Sequence, residues 1–361
     1  MTNPVTYRVL FQDVLSGVIH GELPAEKFSY TNTLNTPGSA SVTIGLNPSV
    51  ARVNRNTIVT GGATAVYIER NSRFVWSGLV WDGQADFAAG TLELKCEGWL
   101  SYFRLRHYHA TTAFAQADQA DIARALIQHA GQYGDGSRLG MIEYGIAKTG
   151  VKRDRTYKGS EHKSIGEAVE QLAAVINGFD FSFDTTWRGD DLITTFNVHY
   201  PAIGRSRPVT LEQGRNCDIT GASIGGKSVI THAFTLGAGD GADQVWASAG
   251  GPSKVFPRLE SVESFSDIKE YGTLKAKAEE RARIGASPIV LPSIELYPDS
   301  APGLDDFDLG DALTVRGGHG LVEIDGMWRI TEVSVSVNES GAEQVALTAA
   351  SRDVFGSDDD S

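Results

Sequence analysis

A chain of 361 residues with 41% hydrophobic and 21% charged side chains is too long for one ordinary core and too apolar for general disorder. Its 45 acidic residues against 32 basic ones leave a formal charge of −13, which argues against a large basic face for phosphates or anionic lipid. Two cysteines, Cys96 and Cys217, exclude a disulfide framework and an all-cysteine metal site, and read as small buried thiols.

Forty glycines against twelve prolines promise many tight turns, and the first hundred residues bear this out as short strands. Residues 5–10 and 41–46 alternate apolar and polar, the period of half-buried strands. Residues 65–70 and 74–80 flank Asn71-Ser72 as a hairpin, and a second hairpin turns at Ala88-Ala89-Gly90 into residues 91–96. Strands so short and evenly spaced predict an antiparallel barrel or sandwich over residues 1–105.

The pattern changes near Arg106. Ile122, Leu126 and Ala130 recur every four residues behind Asp118 and Asp121, predicting an amphipathic helix over 116–130. A second helix is capped by Ser164, with Glu167 completing a capping box and Gly178 closing it. Its apolar stripe is Ile165, Val169, Leu172, Val175 and Ile176. Strands at 179–184 and 192–200 then make residues 106–205 a small α+β domain.

Residues 206–352 return to β, with strands at 218–223 and 230–236, a helix over 266–284, and further strands at 311–315, 321–324, 328–337 and 343–349. Residues 353–361 are an acidic tail expected to be disordered. Two segments match each other in layout. Trp76 leads to a turn at Gly90 and an alternating strand, and Trp328 leads to a turn at Gly341 and another. A duplication would make two similar barrels. The expected class is therefore mainly β: two similar antiparallel β-barrel domains with an inserted α+β domain.

Residues that could carry chemistry are few. His107 and His109 have the H-x-H spacing of a zinc pair. The His-x-x-x-Asp of a cell-wall metallopeptidase is missing from all eight histidines, and His319 has only Glu323 at that distance. There is no His-Glu-x-x-His. Glu167 with Glu170, or Asp305, Asp306 and Asp308, could be imagined as an acid–base pair, but read as a helix face and a polar loop. Residues 237–241, Gly-Ala-Gly-Asp-Gly, lack the Lys-Ser/Thr of a phosphate loop and read as a hairpin. Lys148, Lys152, Arg153, Arg155 and Lys158, with Tyr144 and Tyr157, could stack on single strands but read as a solvated loop. No catalytic residue, metal ligand or cofactor is assigned. No apolar run approaches the ~20 residues that span a bilayer. The start, Met1-Thr2-Asn3-Pro4, has no signal-peptide regions, so synthesis in a cytoplasm without a membrane anchor is expected.

Three groups of residues, taken in order, resemble one family. The first is Phe74-Val75-Trp76-Ser77-Gly78 leading into Leu94-Lys95-Cys96-Glu97-Gly98-Trp99-Leu100-Ser101-Tyr102 and Arg104. The second is the run from Ser164 to Leu172 followed by Gly178-Phe179-Asp180-Phe181. The third is Leu309-Gly310-Asp311-Ala312-Leu313-Thr314-Val315, then Trp328-Arg329-Ile330, then Gly341, Glu343, Val345 and Leu347. Over roughly residues 1–352 the chain resembles the baseplate hub proteins of tailed bacteriophages, the minor tail or tail-associated proteins at the tip of long non-contractile tails.

The resemblance implies a virion structural protein and no enzyme. It implies a homotrimer whose two barrels per chain alternate around a ring, matching a sixfold tail tube to a threefold tip. Its neighbours would be a distal tail protein ring above, tip or fibre proteins below, and tape-measure protein in the lumen. DNA would pass through the channel without specific binding, and the chain would be made in the bacterial host cytoplasm. Two other readings compete: a tail-tip cell-wall hydrolase using His107 and His109, and a carbohydrate-binding module stacking sugars on Trp187 or Trp246.

Overall fold

The computed structural model describes residues 5–22, 24–46, 59–132, 142–175, 177–239, 241–265, 268–298 and 300–351. The chain is mainly β and divides into two compact units, Met1–Ile203 with Glu332–Ala346, and Gly204–Thr331 with Leu347–Ser361. The expected acidic tail, 353–361, lies outside the described residues.

Among the described residues the first unit opens with the strands β1 (Tyr7–Asp13), β2 (Ile19–Glu22), β3 (Ala25–Thr33), β4 (Ser39–Gly45), β5 (Thr64–Arg70), β6 (Arg73–Asp86) and β7 (Thr91–Gly98). They hydrogen-bond antiparallel in the order β3-β4-β7-β6-β5-β1-β2. The β5–β6 loop is the two residues expected: Asn71 and Ser72 both take positive φ, as a turn matched to strand twist requires. Beyond β3 the edge is completed by residues 332–337, pairing Glu332 with Thr33 and Val337 with Phe28. The sheet rolls, so that the Tyr7 ring of β1 meets Phe28 of β3 at 5.0 Å, edge to face. No strand pair closes it among the described residues, so the expected barrel is an open rolled sheet joined by side chains. The physical reason is that its last strand comes from far along the sequence, beyond residues 1–105.

Next come α1 (Leu100–Arg104), β8 (Thr112–Asp118), α2 (Gln119–Gln132), β9 (Ile142–Tyr144), β10 (Lys152–Tyr157), α3 (Ile165–Ala173), β11 (Asp180–Arg188) and β12 (Asp191–His199). Asp118 starts α2 by accepting the Ala120 N–H, and also takes the Thr149 and Gly150 N–H groups. The helix begins three residues later than expected because 116–118 finish β8. Ser164 caps α3 as predicted, accepting the Glu167 N–H at 3.4 Å. The helix ends at Ala173, before Gly178, because Gly178 folds back against the Ala173 carbonyl where a Cβ would overlap it. Ile165, Val169 and Leu172 join Ile122, Leu126, Trp99, Phe103, Phe181 and Phe196 in one core, and Ile176 lies outside the described residues. The segment read as a basic loop contains β10, paired antiparallel with β8. Its alternation was hidden by charged side chains on both faces.

The second unit contains β13 (Ser206–Glu212), β14 (Cys217–Gly225), β15 (His232–Leu236), β16 (Trp246–Gly250), β17 (Glu260–Ser264), α4 (Tyr271–Ile284), β18 (Ile289–Leu296) and β19 (Ala312–His319). Two strands, β20 (Val322–Val337) and β21 (Glu343–Ser351), are divided between the units. The order here is β13-β19-β20-β21-β18-β14. Its two ends, β13 and β14, meet at an isolated bridge between Gln213 and Cys217. The strands expected at 321–324 and 328–337 are one, β20. Gly326, between the two expected segments, takes a φ of 133° and stays paired with Val315, so the strand runs on through it. A smaller sheet, β16-β15-β17, packs under α4, where Leu274, Ala278, Ala233 and Ala247 are buried and the Thr235 hydroxyl donates to the Leu274 carbonyl.

Candidate functional site

The motif residues are the place to look for a site, and their glycines and polar groups are engaged in holding neighbouring backbone and side chains. Gly78 and Gly98 face each other across β6 and β7. A Cβ at Gly78 would overlap the Glu97 carbonyl oxygen, and one at Gly98 the Pro37 carbonyl oxygen. The neighbouring indoles are anchored as well: Trp99 Nε1 donates to Ser77 Oγ at 2.9 Å and Trp81 Nε1 to Ser101 Oγ at 2.8 Å. Arg104 of α1 pairs with Glu170 of α3, and a Cβ on Gly166 would lie 2.6 Å from the Arg104 nitrogen. The first two motifs are thus one packed junction between strands and helices.

The third motif works through a buried carboxylate. Asp311 is 1% exposed. It accepts the Arg205 N–H at 2.7 Å, the Arg207 Nε–H at 2.6 Å and the Asp308 N–H at 2.9 Å. Arg329 Nε donates to the Gly310 carbonyl at 3.1 Å, and Gly310 and Ile330 exchange backbone bonds with the same turn. Glu343, the last polar residue of the pattern, accepts from the Tyr7 hydroxyl and from Arg70 Nε at 2.6 Å and Nη2 at 3.1 Å. Burial, reinforced by Tyr30 and the Glu343 carboxylate, pushes the Tyr7 phenol far above its ordinary range.

The imagined acid–base pairs do not form. Glu170 is held by Arg104, Asp306 accepts the Gly303 N–H, and Asp308 pairs with Arg207. Three of the five basic residues are held by neighbours: Lys148 by Asp121, Arg153 by Gln119 and the Asn177 carbonyl, and Lys158 by Glu161. Residues 237–239 form the expected hairpin, with Gly237 N–H donating to the Val245 carbonyl. Trp187 packs on Phe74 and donates to Glu69, whereas Trp246 is 54% exposed with Phe234 at 6.4 Å.

His107 and His109 do not act together. The His107 backbone bridges to Ser164, while His109 Nδ1 lies 3.2 Å from His162 Nδ1, and its backbone N–H donates to His129 Nε2 at 3.1 Å. Burial, then the charges of His109 and Arg106, hold His129 below the usual imidazole range. Sequence reading missed His129 and His162 because neither is spaced from His109 by any local period. Among the described residues no group of three or more His, Cys, Asp or Glu is placed to hold a metal, and no helix is long and apolar enough to cross a membrane.

Both cysteines are free and buried. Burial pushes the Cys96 thiol up to about 12. Burial with Asp218 and Glu212 pushes Cys217 up to about 11. Both thiols stay protonated at neutral pH, so a thiol-specific disulfide reagent should titrate neither in the native protein and two per chain in denaturant. Rapid native labelling of either would contradict this burial.

No family model matches the chain, and no curated protein sequence matches it. Solved structures do. The tail protein from Neisseria meningitidis MC58 superposes with a TM-score of 0.62 at 13% identity, over 97% of this chain and 98% of that one. The 43 kDa tail protein of prophage MuSo2 from Shewanella oneidensis gives 0.62 at 12% identity, over 96% and 98%. Prophage tail protein gp18 from Listeria monocytogenes EGD-e gives 0.56 at 10% identity, over 94% of each chain. At such identities the likeness is one of fold. The chain has the fold of phage tail proteins along nearly its whole length, the same class that its motifs resemble.

Proposed function

We propose that the chain is a structural, non-enzymatic component of a phage-type tail, a baseplate hub at the tip of a long non-contractile tail. The observation that carries this reading is the near end-to-end agreement of fold, 97% of this chain on 98% of a tail protein. The motifs support it, because their glycines, indoles and carboxylates are committed to packing, to backbone bonds and to side-chain pairs.

In this proposal the protein is a homotrimer. Residues 1–105 and 206–352 form its ring, and residues 106–205 a domain beside it. The ring adapts a sixfold tube to a threefold tip, below a distal tail protein and above tip or fibre proteins, with tape-measure protein in its lumen. A heterologous interface of this kind must close on itself. Three copies, each carrying −13, bring about −39 to one assembly, and acidic walls keep DNA in transit from sticking.

Light scattering on the full-length protein, alone and with its tail neighbours, should give three times 38.7 kDa. A species that stays monomeric and binds no tail component would sink the hub reading. A zymogram on host peptidoglycan should stay uncleared; clearing that is lost in H107A or H109A would favour the hydrolase reading instead.

A further inference from the structure

We infer that His109 and His162 form a binding site for a divalent transition-metal ion of the zinc type, open to water, on the α+β part of the first unit. The two Nδ1 atoms lie 3.2 Å apart. Two imidazole nitrogens bound at about 2.0–2.1 Å to one ion are separated by this distance when the N–metal–N angle is about 100°, close to the tetrahedral value. Both residues are exposed, so water can complete the coordination shell. Imidazole is a ligand that selects zinc, copper or nickel over magnesium or calcium.

Without metal, one Nδ1 carries a proton and donates it to the other. Binding moves that proton to the Nε2 of the same ring through solvent. Both Nδ1 lone pairs are then free to bind the ion, each ring stays neutral, and charge and protons balance.

The pair is preorganised by its backbone. The loop bearing His109 is tied to the loop bearing His162 by the Tyr108 N–H donating to the Lys163 carbonyl at 2.9 Å, and by the His107–Ser164 bridge. Gly159 lies against the His109 carbonyl, where a Cβ would overlap it, and its N–H donates to Thr111 Oγ1 at 3.0 Å. His162 itself sits in the left-handed region, φ 44°, as the cap of the turn Gly159–Glu161. His129 is a positioning residue: its Nε2 accepts the His109 N–H and fixes the strand of backbone that carries the ligand. Of the charged groups near it in the chain, Arg106 acts on His129, Lys158 pairs with Glu161, and Lys163 follows His162.

The test is calorimetric titration of the full-length protein with zinc chloride near neutral pH. The expected result is about one ion per chain at this site, with affinity reduced about tenfold or more in H109A and in H162A, and less in H129A. Saturating zinc should also raise the melting temperature of the parent protein and leave the H109A/H162A variant unmoved. The metal-free melting temperatures of parent and variant should agree, since both side chains are exposed. Zinc binding and stabilisation that persist unchanged in the folded double variant, or no zinc binding by the parent, would overturn the assignment. Either result leaves the tail reading untouched, which is tested by mass and partners.

Discussion

Replacing Asp311 by alanine should cost the second unit about 3–5 kcal/mol of stability, the usual penalty for removing one partner of a buried ion pair. Its carboxylate takes three donors at once: two backbone N–H groups and the Arg207 guanidinium. Alanine leaves all of them without that acceptor in a place where water cannot reach the vacated side. Asp308 stays within 3.1 Å of Arg207 and keeps the guanidinium partly compensated, which sets the loss toward the lower end of the range. Asparagine retains one acceptor oxygen and should recover part of the loss. Urea unfolding with an unchanged m-value measures it. A loss below about 1 kcal/mol would mean the turn is held by its backbone bonds alone.

Glu343→Ala should be similarly damaging in the first unit, again about 3–5 kcal/mol. Glu343 binds two groups from strands near the start of the chain, the Tyr7 phenol and the Arg70 guanidinium. These contacts join the rolled sheet where no strand pair does. Arg70 is 7% exposed as a side chain and Glu343 19%, so the pair is screened little by solvent. Removing both charges, as in R70M/E343L, should restore most of what either single change loses. A double-mutant cycle should show coupling of at least about 1 kcal/mol. Additive losses would show that the pair does not join the sheet edges energetically.

What could be read from the sequence follows from how local each cause is. The Asn71-Ser72 turn needs only two residues willing to take positive φ, and the Ser164 cap needs only a hydroxyl three residues before a free N–H; both were found. The mainly β character and the place of α3 were legible for the same reason. The open edge of the first sheet was not, because its covering strand is supplied from residues 332–337, some three hundred residues from β3. Nor was the Arg70–Glu343 pair, 273 residues apart. H-x-H spacing pointed to His107, whereas the fold brings His109 to His162, 53 residues away, and leaves His107 as a backbone bridge. The continuity of β20 through Gly326 was not legible for a different reason. A glycine breaks a strand only when nothing pairs with it, and Val315 does.

The discontinuity of the first unit has a consequence for synthesis. A ribosome that has just finished residue 203 has released a nearly whole unit in which β3 still lacks its outer neighbour, and residues 332–337 arrive only on the order of ten seconds later. During that interval the unpaired N–H and C=O groups of β3 are open to any other extended chain. Nascent chains on one polysome expose the same edge together, and each copy is protected only when its own C-terminal hairpin emerges. Prematurely terminated chains would therefore be recognised by an unfinished sheet edge and diverted to aggregation or proteolysis before they could join an assembly.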